Sequence, residues 1–126
     1  MTLKIKVIAN QTPGKSEEIK YRAVSVSLSA TDLDTLAELV SDQTSMTKAD
    51  CYGVLIALEY NIINELRDGR IVRLGNIGSF QVSVSSNTTN TKKEFKSSNI
   101  KSAKIIYRPG KGSKRMLKNI SFKIVK

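Results

Sequence analysis

Hydrophobic and polar positions alternate along the first 28 residues. Leu3, Ile5, Val7 and Ala9 fall on one face of an extended chain, with Lys4 and Lys6 on the other. Val24, Val26 and Leu28 alternate in the same way with Ser25, Ser27 and Ser29. Thr12, Pro13, Gly14 and Lys15 form a turn signal between the runs. The pattern predicts strands over 2–9 and 20–28 that pair as a hairpin or join a larger sheet. From Thr31 the period changes. Leu33, Leu36, Ala37 and Val40 lie at i, i+3, i+4 and i+7, with Asp32 and Asp34 at the positive end of the helix dipole, which predicts a helix over 31–43. Thr47, Lys48, Ala49 and Asp50 resemble a capping box with Asp in place of Glu, and they open a longer helix that Gly69 closes.

That second helix is apolar over more than one face. Cys51, Leu55, Leu58, Ile62 and Leu66 make one stripe, Val54, Ala57 and Ile63 widen it, and Ile56 adds a side contact. A helix of this kind is buried on two sides, either against a second copy of the chain or at the centre of a monomer. Dimerisation is the economical solution, with Leu55, Leu58, Ile62, Leu66 and Phe80 as the expected dimer core.

After Gly69 the period returns to two. Residues 70–74 and 79–85 read as strands, with Phe80, Val82 and Val84 alternating against Gln81 and Ser83, and Gly75, Asn76, Ile77 and Gly78 supply the reversal. Residues 85–102 are rich in Ser, Thr, Asn and Lys, with Phe95 and Ile100 as the only sizeable apolar residues, so this segment should project from the body or be mobile. A strand resumes over 104–108, Pro109 and Gly110 end it, a short helix follows over 111–119, and Ile120, Phe122 and Ile124 alternate as a last strand.

Charge changes the picture because of where it sits. The chain has 126 residues and a formal charge of +10. Residues 1–30 hold five Lys/Arg against two Asp/Glu, residues 31–68 hold two against eight, and residues 69–126 hold fourteen against one. An acidic helical middle followed by a basic half nearly free of carboxylates points to a polyanion, a nucleic acid before an acidic protein or membrane headgroups. RNA is a lesser candidate, because aromatic pairs for stacking single-stranded bases are absent from the pattern.

Other chemistry has little to stand on. There is no His and a single Cys, which removes Ser/His and Cys/His nucleophiles and the usual zinc sets, so no cofactor, metal or catalytic residue is expected. Cys51, on an apolar helix face, reads as core. Gly75 with Gly78, and Gly110 with Gly112, lack the arrangement of a phosphate-cradling loop. No apolar run approaches the roughly 20 residues of a membrane span and no leader pattern opens the chain, so the expectation is a cytoplasmic protein with no membrane and no small-molecule partner.

Two separated stretches carry a family resemblance. MTKADCYGVLIALEYNIINELRDGRIVRLGNIGSF, residues 46–80, resembles the second helix and first hairpin of the bacterial histone-like HU/IHF proteins, with Val72, Leu74, Gly78 and Phe80 at that family's Val, Leu, Gly and Phe. YRPGKGSKRML, residues 107–117, resembles its entry into the last helix through Arg108, Pro109, Gly110, Lys111 and Lys114. The resemblance covers roughly residues 30–119, and with its added terminal strands the chain looks like an HU-like subgroup of Bacteroidetes.

The resemblance implies an α+β fold of one HU-like domain over 1–126. In it, a helical base lies under a β saddle, a β-ribbon arm spans about 85–104, and extra strands lie at 1–29 and 120–126. It implies a nucleoid-associated homodimer that binds double-stranded DNA without an enzymatic activity. Arg73 would lie on the saddle, Lys92, Lys93, Lys96, Lys101 and Lys104 along the arm, and Arg108, Lys111, Lys114, Arg115 and Lys118 beside phosphates. Arg70, Lys123 and Lys126 read as solvated surface charges. HU/IHF arms carry a proline that wedges between base pairs, whereas residues 85–104 contain none. Phe95 is the candidate substitute wedge, set against the blander reading that it packs along the arm or onto the body, and weaker bending is expected. The added strands either enlarge the sheet or present an edge to a protein partner.

Overall fold

The computed structural model describes residues 2–10 and 19–126, so the turn expected at 12–15 lies outside the described residues. In chain order the elements are β1 Thr2–Asn10, β2 Lys20–Ser25, α1 Leu33–Gln43, α2 Lys48–Arg67, β3 Val72–Arg73, β4 Gly78–Ser86, a 3-10 turn Ser97–Asn99, β5 Ile100–Pro109, α3 Lys111–Asn119 and β6 Ser121–Ile124. The fold is α+β, with two three-stranded sheets among the described residues. Its contacts divide into two units, residues 1–32 with 116–126 and residues 33–115.

In the first unit the two N-terminal strands pair antiparallel, with Ile5 opposite Ser25 and Asn10 opposite Lys20. Their apolar face is completed by β6, which runs parallel to β1 and sets Leu3 opposite Phe122 and Ile5 opposite Ile124. The added strands therefore build a sheet of their own, in the order β2-β1-β6, and do not extend the other sheet. The pairing of β2 reaches one residue past its end through the Val26 amide, which donates to the Lys4 carbonyl at 2.8 Å. Leu28 lies beyond this pairing and stays exposed.

In the second unit, helix boundaries follow local chemistry. Thr47 caps α2 by accepting from the Asp50 amide at 3.1 Å, which satisfies one of the donors a helix start leaves unpaired. At the other end Gly69 takes φ 86°. Its amide bonds the Leu66 carbonyl at 3.0 Å while the Arg70 amide bonds that of Glu65 at 3.1 Å, which together make a Schellman stop. α1 begins two residues later than the pattern predicts and leaves only Asp34 in its first turn. α1 packs on α2, and α2 touches β3 and β4.

The second sheet runs β3-β4-β5. Its β3 is only two residues long, because Leu74 already belongs to the turn: its amide bonds the Gly78 carbonyl at 2.8 Å, and the Ile77 amide closes back on that of Leu74 at 3.0 Å. β5 starts at Ile100, not at Lys104 as the composition implies. Pairing with β4 extends from Gly78 opposite Pro109 to Ser86 opposite Ile100, with a bulge at Lys101. Backbone ladder bonds require no apolar side chain, so a Ser- and Lys-rich stretch extends the ribbon as well as a Val-rich one.

The buried apolar residues among those described are Ala37 at 0%, Cys51 at 2% and Leu66 at 7% exposure. Along the expected α2 stripe, Leu55 and Ile62 are half-buried and Leu58 is exposed, as are Val54 and Ile63 beside it. Phe80 is half-buried and tilts against Tyr107, with ring centroids 5.1 Å apart.

Candidate nucleic-acid interface

Strand register sorts the second sheet into two chemically different faces. Val72, Phe80 and Tyr107 form one row, with Val82 opposite Ile105 and Val84 opposite Ala103 on the same apolar side. On the other side Arg73 lies opposite Ser79, which in turn lies opposite Arg108. Farther out, Gln81 faces Ile106, Ser83 faces Lys104 and Ser85 faces Ser102. Two guanidinium side chains thus flank a hydroxyl on a polar face, although they come from segments 35 positions apart in the sequence. A shallow cleft of about 200 Å³ opens here, lined by Arg73, Gly78, Ser79, Arg108 and Gly110 among others.

Glycines hold the cleft's inner end closed. Gly78 is buried with φ 142°, and a Cβ on it would meet the Arg108 carbonyl oxygen. A Cβ on Gly110 would lie 2.8 Å from the carbonyl oxygens of Gly75 and Asn76. The turn before β4 therefore packs backbone to backbone on the start of α3. The Ile77 carbonyl accepts from the Gly110 amide at 3.0 Å, from the Tyr107 hydroxyl at 2.8 Å and from Ser113 Oγ at 2.8 Å. The Asn76 carbonyl accepts from the Ser113 amide at 3.1 Å. This web fixes where Arg108 and the first turn of α3 sit relative to Arg73.

Along α3, Lys111, Lys114, Arg115 and Lys118 recur at i, i+3, i+4 and i+7, which puts them on one helix face. All four are exposed. Lys104 lies on the polar side of β5, and Lys101 is the bulge residue. Lys92, Lys93 and Lys96 belong to the ribbon tip. There the Asn87 amide bonds the Asn99 carbonyl at 2.8 Å, and Asn99 Oδ1 accepts from the Lys96 amide at 2.9 Å. Phe95 is also in the tip, 40% exposed, and its ring stacks on no other aromatic among the described residues.

Ion pairs separate these cations from Lys48 and Arg70. Among the described residues the salt bridges join Lys48 to Asp34, and Arg70 to Glu65 and Asp68. Arg70 thus serves the end of α2. None of the candidate cations forms an ion pair among the described residues, so no carboxylate there neutralises them. Ser79, Gln81 and Ser83 do not stand out in the sequence as site residues. Their period-two alternation against Phe80, Val82 and Val84 is the signal that could have found them.

The chain matches, over residues 1–124, the HU-HIG family, described as an HU domain fused to wHTH, Ig or a glycine-rich motif. Among solved structures it is similar to a protein of Bacteroides vulgatus ATCC 8482 that is provisionally described as a bacterial DNA-binding protein, with a TM-score of 0.70 at 10% identity. That similarity covers 98% of this chain and 48% of the other, so this chain spans about half of its neighbour's length. No curated protein matches.

Proposed function

Because the chain belongs to the HU-HIG family, we propose that it is a non-enzymatic architectural protein that binds duplex DNA as a homodimer, through phosphates and the minor groove and with little sequence preference. The observation that carries this reading is a cationic row without carboxylate partners among the described residues: Arg73, Ser79 and Arg108 across three strands, beside a helix whose Lys and Arg share one face. Guanidinium groups and hydroxyls are phosphate donors, and neutralising phosphates releases counterions whatever the base sequence. Lys92, Lys93, Lys96, Lys101 and Lys104 extend the same chemistry along the ribbon, and Lys111, Lys114, Arg115 and Lys118 along α3. Phe95, half exposed among tip lysines, is the one side chain there suited to wedge against a base step.

The homodimer reading rests on the shortage of core. Among the described residues Ala37, Cys51 and Leu66 are the buried apolar ones, a small core for a chain of this length. The exposed Val54, Leu58 and Ile63 on α2, and Val82, Val84 and Ile105 on the ribbon, supply the surface that a second copy would bury. Light scattering should give twice the 13.9 kDa chain mass. A particle of single-chain mass would remove the saddle from the account.

A second reading keeps the scaffold and makes DNA binding incidental, with the added sheet recruiting a protein. The exposed Tyr21, Phe122 and Ile124 favour it. A mobility-shift assay with unlabelled competitor DNA over a salt series separates the two. Complexes that weaken steeply with salt and yield to any duplex competitor are the result expected here, and complexes absent even at low salt would leave the recruitment reading.

A further inference from the structure

The small sheet sorts its side chains as sharply as the large one. Leu3 lies opposite Phe122, Ile5 opposite Ile124, Val7 opposite Ala23 and Ala9 opposite Tyr21, which makes one face apolar. On the other face Lys4 lies opposite Lys123, Lys6 opposite Val24, Arg22 opposite Ile8 and Lys20 opposite Asn10. Every cation of these three strands stands on that face, and the strands contain no carboxylate.

Such an arrangement costs stability if it serves only the fold, since like charges directly opposite each other weaken a sheet. Lys4 and Lys123 are such a pair. Lys4, Lys6, Lys20, Arg22 and Lys123 are exposed, and none joins an ion pair among the described residues. Lys4 and Lys6 are two residues apart on one face of one strand, about 7 Å.

We propose that this face of the β2-β1-β6 sheet is a second phosphate-contacting surface, separate from the Arg73–Arg108 cleft, and that its ligand is the backbone of duplex DNA. The choice of DNA rests on the function proposed above. A lipid surface fits less well, because the exposed large apolar residues of this sheet, Val7, Tyr21, Phe122 and Ile124, lie on the opposite face from the cations. The apolar residues between the cations, Ile8 and Val24, are half-buried and offer no anchor to a bilayer.

The test compares three forms of the full chain on one long duplex across a salt series: the natural sequence, a Lys4→Gln/Lys6→Gln/Arg22→Gln/Lys123→Gln variant, and a Lys4→Arg/Lys6→Arg/Lys123→Arg variant. Each lost phosphate contact flattens the slope of log K against log salt by about 0.9. The glutamine variant should therefore flatten it by about 2 or more, with a thermal midpoint no lower than the natural chain's, while the arginine variant keeps the natural slope. A Lys111→Ala/Lys114→Ala variant runs in parallel to report on the first site. If it weakens binding while the glutamine variant does not, the second surface is refuted and the DNA-binding function stands. If the natural chain binds no duplex at any salt, both readings fall. Phosphatidylserine vesicles complete the set: loss of vesicle binding by the glutamine variant with an unchanged DNA slope would assign the face to membranes and overturn the proposal.

Discussion

Replacing Gly78 by Ala tests how the interface is held together. Gly78 opens β4 with φ 142°, a conformation that side-chain-bearing residues adopt at a cost of about 1–3 kcal/mol. The added Cβ would overlap the Arg108 carbonyl oxygen and lie 2.8 Å from Tyr107 Cε1 and 2.9 Å from the Gly110 amide nitrogen. Two of those three neighbours are backbone, so relief requires the start of α3 to move away from the β4 ladder, an overpacking cost of about 1–3 kcal/mol. A destabilisation of about 2–6 kcal/mol is therefore expected, a large share of the roughly 5–15 kcal/mol a folded domain possesses. Urea unfolding at one fixed protein concentration reads it as a lower midpoint with an unchanged m value. The concentration is fixed because association shifts apparent stability. Duplex affinity should fall as well under conditions where the variant remains folded, because Arg73 and Arg108 flank this junction. A loss below about 0.5 kcal/mol, the range of surface substitutions, would show that the turn and the start of α3 do not pack as described.

Three other outcomes follow from the same geometry. Gly53, in the middle of α2, has no positive φ and open space for at least 4 Å around the point where a Cβ would sit, so Gly53→Ala should stabilise by about 0.5–1 kcal/mol in the same urea assay; destabilisation would place another chain against that face. Phe80→Ala removes a ring packed on Tyr107 and should cost about 3 kcal/mol by denaturant midpoint, with full stability refuting its role in the core. Lys111→Ala with Lys114→Ala should weaken binding to unrelated duplexes equally by mobility shift, without a change in particle mass.

Much of this was legible because local chemistry decided it. The start of α2 at Thr47, its stop at Gly69 and the bounds of α3 behind Pro109 and Gly110 depend on caps and φ constraints, which neighbouring residues announce. The outer half of β5 was hidden because its pairing is made by backbone groups, and Ile100, Lys101 and Ser102 carry no apolar alternation. The parallel pairing of β6 with β1 joins residues more than a hundred positions apart, and no local signal specifies it. The individual cations were visible, but their grouping was not. That Arg73 and Arg108 flank Ser79, and that Lys123 faces Lys4, follows only from register.

The salt dependence of duplex affinity, measured for the natural chain and for an Arg73→Gln/Arg108→Gln variant on two unrelated sequences, tests the central claim most directly. The natural chain should bind both sequences alike, with a slope of about −5 or steeper, as about six phosphate contacts require. The variant loses two cations from each of two subunits and should be flatter by up to about 4 on each. A slope near zero, or a variant indistinguishable from the natural chain, would contradict binding through this cationic row.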